Sequence, residues 1–252
     1  MRIGVVGLGL IGGSIFKALS CQYEVVGVSS SVKLNNVSDN FDVLRTCDIV
    51  FVCTPMNVTL SVLDRLEGIL SENAIVTDVC SLKSFVTKKH YSYKFIPSHP
   101  MAGTENSGWE SSFKELFEGA KWVITPFEVH CSEEQKCLED VIKSMGAEII
   151  VTTPEEHDQA VALISHLPMV IAQALCENIK NNQLAQVLAS SGFRDTTRLA
   201  LSNLEMANDM IELNQENIIQ ALDSLKDCLQ GLLDENYLNK ATEIKEFRRN
   251  LY

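Results

Sequence analysis

Basic residues are scarce. The 252-residue chain holds 21 Lys+Arg against 33 Asp+Glu, a formal net charge of −12. Neutralising phosphates requires the opposite excess, so no nucleic-acid partner is expected. Aromatic residues reach only 7%, beside 46% apolar and 21% charged; this is a globular balance and not a disordered one. No uninterrupted run of eighteen apolar residues occurs, and nothing is expected to span a membrane. The chain enters a strand pattern at Met1-Arg2-Ile3-Gly4-Val5-Val6, without the charged and apolar regions of a signal peptide. A cytoplasmic location is expected. The eight cysteines, at 21, 47, 53, 80, 131, 137, 176 and 228, include no C-x-x-C pair. Several fall in apolar strands, so reduced, buried thiols are expected, with neither disulfides nor a metal site. Glycine and proline nearly vanish late in the chain. After Thr153 only Gly192, Gly231, Pro154 and Pro168 remain, of 13 glycines and 6 prolines. No internal repeat or low-complexity tract is present.

What is present divides at that point. Before it, short Val/Ile-rich runs alternate with helix-length segments: Ile3–Val6, Val25–Val28, Ile49–Cys53, Ala74–Val79, Phe95–Ser98, Trp122–Thr125 and Glu148–Val151. Such runs predict buried strands of an α/β sheet. Val58–Leu70 and Glu133–Met145 predict helices, the latter with Ser132 as N-cap and Gly146 just past its end. The last hundred residues predict helix almost throughout. Pro154, Glu155 and Glu156 suit the first turn of a long helix. From Val161 to Cys176 that helix is apolar nearly all round, which predicts burial on every side and a partner subunit to supply it.

Gly7-Leu8-Gly9-Leu10-Ile11-Gly12 follows the first strand and opens a helix. In that context the first glycine makes a tight turn, the second lets backbone approach a pyrophosphate, and the third lets helix pack on strand. Dinucleotide binding by these six residues is predicted. The second strand ends at Val28 and continues Ser29-Ser30-Ser31, then Lys33. An acid that would hold a ribose 2′-hydroxyl is missing, so Ser29 and Ser30 point to NADP over NAD.

Four further stretches carry chemistry. Asp78-Val79-Cys80-Ser81-Leu82-Lys83 follows the fourth strand, and Ile96-Pro97-Ser98-His99-Pro100-Met101-Ala102-Gly103-Thr104-Glu105 the fifth. His157 to Pro168 reads HDQAVALISHLP, and Ser190 to Arg198 reads SSGFRDTTR. His99 falls beyond the carboxyl end of a strand, where ligands bind in open α/β sheets, and an imidazole there suits acid–base work. In order and spacing, these stretches and the glycine fingerprint resemble the prephenate/arogenate dehydrogenase family over essentially the whole chain. The likeness is nearest to its cyanobacterial and plant-type arogenate-using members.

The resemblance implies a Rossmann-type dinucleotide-binding domain, residues 1–152, followed by an all-α dimerisation and substrate domain, residues 153–252. It implies a homodimer that uses NADP or NAD to oxidise and decarboxylate a cyclohexadienyl substrate. Arogenate would give tyrosine and prephenate would give 4-hydroxyphenylpyruvate. His99 matches the family's catalytic histidine, and Ser81 the serine that holds the same hydroxyl. Arg198 matches the arginine that grips a carboxylate, His166 a second active-site histidine, and Thr104 lies in the substrate loop. Thr54 and Pro55 fall where the family touches its cofactor. Alternatives stay beside each role. Arg194 and Arg198, four apart, share a helix face and could pair with Asp195 or Glu205. His157 and His166, nine apart, face opposite sides of a helix of ~3.6 residues per turn. His166 is preferred, because Pro168 can kink the helix there; His157 and Asp158 read as a structural or capping pair. His90 and His130 read as surface residues.

The sequence also departs from the family. Between Val28 and Asp48 it is short, and the usual helix is expected to shrink to Val37–Arg45 or be lost. Pro97-Ser98 stand where glycines are usual, and Asn203–Ala207 lack the Pro and Trp of many prephenate-using members. No chorismate mutase or ACT segment is expected beside the core, and any tyrosine feedback is expected to act at the active site itself. Two other readings share the plan: a 3-hydroxyacid dehydrogenase, imine reductase or pyrroline-carboxylate reductase, and a non-catalytic dinucleotide sensor. Neither needs His99, Ser81 and Arg198 together.

Overall fold

The computed structural model describes residues 1–104, 106–127, 132–233 and 236–251. Six strands form one parallel sheet: β1 (Arg2–Val6), β2 (Glu24–Val28), β3 (Val37–Ser38), β4 (Ile49–Val52), β5 (Ile75–Asp78) and β6 (Lys94–Phe95). Their order, β3-β2-β1-β4-β5-β6, is that of a doubly wound dinucleotide-binding sheet. Helices α1 (Leu10–Leu19) and α2 (Met56–Leu66) make crossovers. Both faces are covered, which is why the strands are apolar without alternation. Ile3 and Val5 face one core with Ile15, Phe16, Leu19 and Phe51, and Val6 faces another with Val50, Val52, Leu63 and Leu66.

The run Phe95–Ser98 is not one strand. β6 stops at Phe95, and β7 (Ser98–Pro100) pairs antiparallel with β8 (Lys121–Ile124) in a second sheet. The last bond to β5 runs from Ile96 N to Val76 O at 2.8 Å, and the Pro97 carbonyl already accepts from Thr125 N, next to β8, at 2.9 Å. Helix α3 (Ser132–Lys143) precedes β9 (Glu148–Val151), which pairs parallel with β8. Ser132 lies inside α3 and not ahead of it. Gly146 follows at φ +85°, the left-handed conformation expected there.

Between β2 and β4 the helix expected at Val37–Arg45 does not form. A single 3₁₀ turn, Phe41–Leu44, replaces it, with the Asn40 side chain accepting from Asp42 N at 3.0 Å. Phe41 and Leu44 still bury into the core, so the segment keeps its apolar anchors without the helix.

The rest is helical. α4 (Pro154–Val161) runs through a π-helical turn, Ala162–His166, into α5 (Leu167–Ile179). The widened turn is the distortion expected just before Pro168. Then come α6 (Gln183–Leu188), α7 (Ser191–Thr196), α8 (Leu204–Leu233) and α9 (Tyr237–Asn250). The stretch Pro154–Ile179 is long enough to cross a membrane by length and composition, with an 18-residue window of mean hydropathy 1.5, although no uninterrupted apolar run of that length occurs in it. Scattered polar residues break the run in sequence without lowering its average enough. Nor is this helix buried on every side, since Leu163 and Ile164 are exposed in the single chain. Packing divides the chain at other places than composition does. One unit comprises Met1–Val161 with Leu201–Leu213, and the other Ala162–Ala200 with the chain from Asn214 onward.

The thiols are only partly as expected. Cys47 and Cys80 are buried, and burial pushes them up to about 11 and about 12. Cys21 and Cys228 are exposed, and Cys131 lies outside the described residues.

Candidate active site

The glycine turn is built by steric necessity. Gly7 has φ +88°, and a Cβ there would sit 2.5 Å from the Cys53 carbonyl oxygen; a Cβ on Gly12 would sit 1.9 Å from Gly7 O. Gly12 thus lets the helix close on the turn itself. A Cβ on Gly9 would meet nothing within 4 Å, so the space before α1 is open. The first turn of α1 has no acidic residue and no side-chain cap. Its free N–H groups and positive end therefore remain for an anion, and the residues fit a dinucleotide pyrophosphate. Leu8 is buried beneath the turn, with Leu10 and Ile11 half-buried. Thr54 follows β4, its hydroxyl 3.0 Å from that of Thr59, and Pro55 leads into α2.

Past β2, Ser29 Oγ accepts from Ser31 N (3.3 Å) and Val32 N (3.2 Å), so this hydroxyl shapes the loop. Ser30, Ser31 and Lys33 are exposed. The groove here is lined by Ser31, Val32, Lys33, Leu34, Trp109 and Glu110. Glu110 is a carboxylate that reading the β2 end alone could not place there.

His99 lies within β7, a step past the end of β6, and is half-buried. Its strand neighbour Ser98 is fully buried. The Ser98 hydroxyl donates to Asp78 O (3.0 Å) and accepts from Trp122 Nε1 (2.9 Å). Lys83 is also fully buried: Nζ pairs with the Asp78 carboxylate and donates to the carbonyl oxygen of Ser98 at 2.6 Å. The DVCSLK stretch thus carries a buried ion pair that grips the backbone next to His99. Removing one partner of such a pair strands the other charge.

On the other side of His99 stands His157. Its Nε2 lies 2.9 Å from His99 Nδ1, and its Nδ1 lies 2.8 Å from Asp158 Oδ1. Lys83 N and Ser84 N donate to the two Asp158 oxygens, both at 2.8 Å. Burial pushes the Asp158 carboxyl up, but the bonds from His157, Ser84 and Lys83 outweigh it and hold the group below its ordinary value. The expected His157–Asp158 pair therefore exists, but it also contacts His99. It is His157, and not the preferred His166, that meets His99. The adjacent His-Asp at the start of a helix was the signal available. Ser81, half-buried, donates to Met56 Sδ at 3.4 Å, a weak acceptor that leaves the hydroxyl easily redirected.

The other candidates are placed as follows. Thr104 is exposed, its Oγ1 accepting from Asn106 N at 3.2 Å. His166 is buried, its Nδ1 3.1 Å from Asn214 Nδ2, and Asn214 in turn accepts from Asn217 at 2.7 Å. It is a packed polar anchor in this structure and not an open contact. Arg198 is exposed and opens a 3₁₀ turn, Arg198–Leu201, beyond the end of α7 at Thr196. Arg194 and Arg198 do not share a helix face, because the helix ends between them. Arg194 pairs with Asp195 at 3.3 Å, and Arg198 makes no ion pair among the described residues. His90 is exposed beside the Phe127 ring. Glu105 and His130 lie outside the described residues.

Known proteins match both parts. Residues 22–151 match the family model for the nucleotide-binding domain of prephenate dehydrogenase, and residues 153–250 that for its dimerisation domain. Prephenate dehydrogenase of Bacillus subtilis is 31% identical, over 97% of this chain and 74% of its own. The crystal structure of Synechocystis arogenate dehydrogenase is 36% identical with a TM-score of 0.83, covering 100% of this chain and 96% of the other. Prephenate dehydrogenase from A. aeolicus, in complex with hydroxyphenyl propionate and NAD+, has a TM-score of 0.88 at 26% identity, covering 100% and 98%. The 3-2-1-4-5-6 sheet is thus the nucleotide-binding domain of a dehydrogenase, and the chain belongs to the prephenate dehydrogenase family.

Proposed function

We propose that the protein oxidises and decarboxylates a cyclohexadienyl substrate, arogenate to tyrosine or prephenate to 4-hydroxyphenylpyruvate, with NADP used better than NAD. The observation that carries this reading is His99, half-buried in the unit that bears the glycine cradle and held through Nδ1 by His157. His99 accepts the hydrogen bond of the ring hydroxyl and takes its proton as the carbon–oxygen bond becomes double. A bound nicotinamide supplies the acceptor for the hydride on the same ring carbon. Ser81 turns its hydroxyl from Met56 to the reacting oxygen. Arg198 takes a substrate carboxylate in a two-pronged contact. The ring carboxylate leaves as carbon dioxide, the ring becomes aromatic, and the proton on His99 passes to the phenolate oxygen.

The arogenate reading is supported by the likeness to the Synechocystis enzyme and by the missing Pro and Trp near Asn203–Ala207. The NADP reading is supported by the absence of acid from Ser29 to Leu34 and by exposed Lys33. A homodimer built mainly from residues 154–252 is supported by the family's dimerisation domain and by exposed Leu163 and Ile164. The deciding experiment follows reduced nicotinamide by absorbance, with each substrate paired with each cofactor. Turnover with neither substrate would end the proposal; a higher kcat/KM with NAD would end its cofactor part.

A further inference from the structure

His99 is joined to a buried carboxylate through a second imidazole, and the proton inventory of that chain follows from its far end. Both oxygens of Asp158 already receive backbone N–H groups, from Lys83 and Ser84. Asp158 is therefore an acceptor toward His157 as well, and His157 Nδ1 carries the hydrogen between them. A neutral imidazole with hydrogen on Nδ1 has a bare Nε2. That bare nitrogen lies 2.9 Å from His99 Nδ1, so the hydrogen of this second bond belongs to His99. The lone pair of His99 is left on Nε2, the nitrogen not engaged by His157.

We propose that His157 and Asp158 are positioning residues that lock His99 in its Nδ1–H tautomer and stabilise its imidazolium. The proposal rests on His99 as the base of the reading above. In the other tautomer Nε2 would carry hydrogen and could not take the substrate proton. Once Nε2 has accepted that proton, the bond from His99 Nδ1 to His157 becomes charge-assisted, and the Asp158 carboxylate supports His157 from behind. Asp158 also ties down the backbone of Lys83 and Ser84, close after Ser81, so one carboxylate orients both partners of the ring hydroxyl. Among the described residues, Lys83 and Asp78 are charged groups beside this chain of contacts, a buried pair that holds the backbone next to His99 through the Ser98 carbonyl. Opposite His99, β8 presents Val123, which does not titrate.

The test compares His157→Leu, His157→Gln and Asp158→Asn with His99→Ala in steady-state pH profiles. Nitrogen-15 NMR of histidine-labelled wild type runs beside them. In wild type, His99 should show a protonated Nδ1 and a bare Nε2. His157→Leu removes the acceptor, and kcat should fall about 10- to 100-fold. Its acid limb of kcat/KM should move to lower pH by about one unit, because the imidazolium loses support. His157→Gln can present an amide oxygen to His99 Nδ1 and should recover part of kcat. Asp158→Asn loses the charge and should move the acid limb the same way. A role in packing alone would lower the melting temperature and leave the limb in place; that result overturns the proposal. An Nε2–H tautomer in wild type overturns it without any variant having to fold. If His99→Ala abolishes turnover while His157→Leu keeps the wild-type profile, the relay fails and the base stands. If His99→Ala keeps kcat, the base reading itself fails.

Discussion

The sheet unit and the helical segment treat their apolar side chains in opposite ways. Ile3, Val5, Phe51, Trp122 and Leu138 are sealed from water by the chain's own layers. Leu163, Ile164 and Val187 stand 55%, 65% and 75% exposed. A sheet with helices or a second sheet on each face completes its core within one chain. The helical segment leaves large apolar side chains open in the single chain, and exposed apolar surface is what an interaction site offers. The chemistry divides similarly: His99 is wired into buried hydrogen bonds, whereas Arg198 lies open.

The sharpest way to break the comparison is at His99. His99→Ala should cut kcat by ~10²–10⁴-fold while dinucleotide affinity, read by titration, is kept. Joint loss of affinity and melting temperature would make His99 a structural residue. Arg198→Ala should come next. It is expected to raise KM for the ring substrate, with a loss of about 2–5 kcal/mol in kcat/KM, since a substrate carboxylate is left without its partner. Arg198→Lys should recover only part, because a point charge does not reproduce a two-pronged contact. An unchanged KM would remove Arg198 from the site.

The apolar contrast itself is tested by charge. Leu163→Asp with Ile164→Asp should turn a dimer into a monomer by light scattering at micromolar concentration. Val58→Asp, at an exposed residue of α2 in the sheet unit, should leave the mass unchanged. A wild-type monomer, or a mass shift from Val58→Asp alone, would undo the distinction between the regions. The smallest effect concerns the groove past β2. NADP should be favoured over NAD by about 1–2 kcal/mol, roughly ten- to thirty-fold. Glu110→Gln should widen that preference by removing a negative charge from the groove that holds Lys33. If Glu110→Gln instead weakens NAD alone, Glu110 serves as the ribose acid that β2 lacks.

Much of this was legible along the chain, and the failures share a pattern. The Val/Ile runs became β1, β2, β4, β5, β8 and β9 within a residue or two at their ends. The run at Phe95–Ser98 misled, because an apolar stretch does not say which sheet it joins; Pro97 divides it. Lys83 read as part of a motif, with nothing in its neighbours to show that it would be buried on Asp78. Helical spacing sets His157 and His166 on opposite sides but does not tell which meets His99, 58 residues before His157.

The sequence by itself determined the strands, the glycine turn and the helical character of the last hundred residues. Each depends on neighbours within a few positions: a period of side chains, a φ that only glycine adopts easily, a proline that cannot donate. Tertiary structure alone decided the site's wiring. It brought Glu110 to the groove beside Ser31 and Lys33, set Lys83 under Ser98, and linked His99 through His157 to Asp158. Glu110, Lys83 and His157 each meet a neighbour distant in the chain, as Glu110 meets the groove, Lys83 the Ser98 carbonyl and His157 the His99 ring. Such contacts depend on how strands and helices pack, which no local spacing encodes.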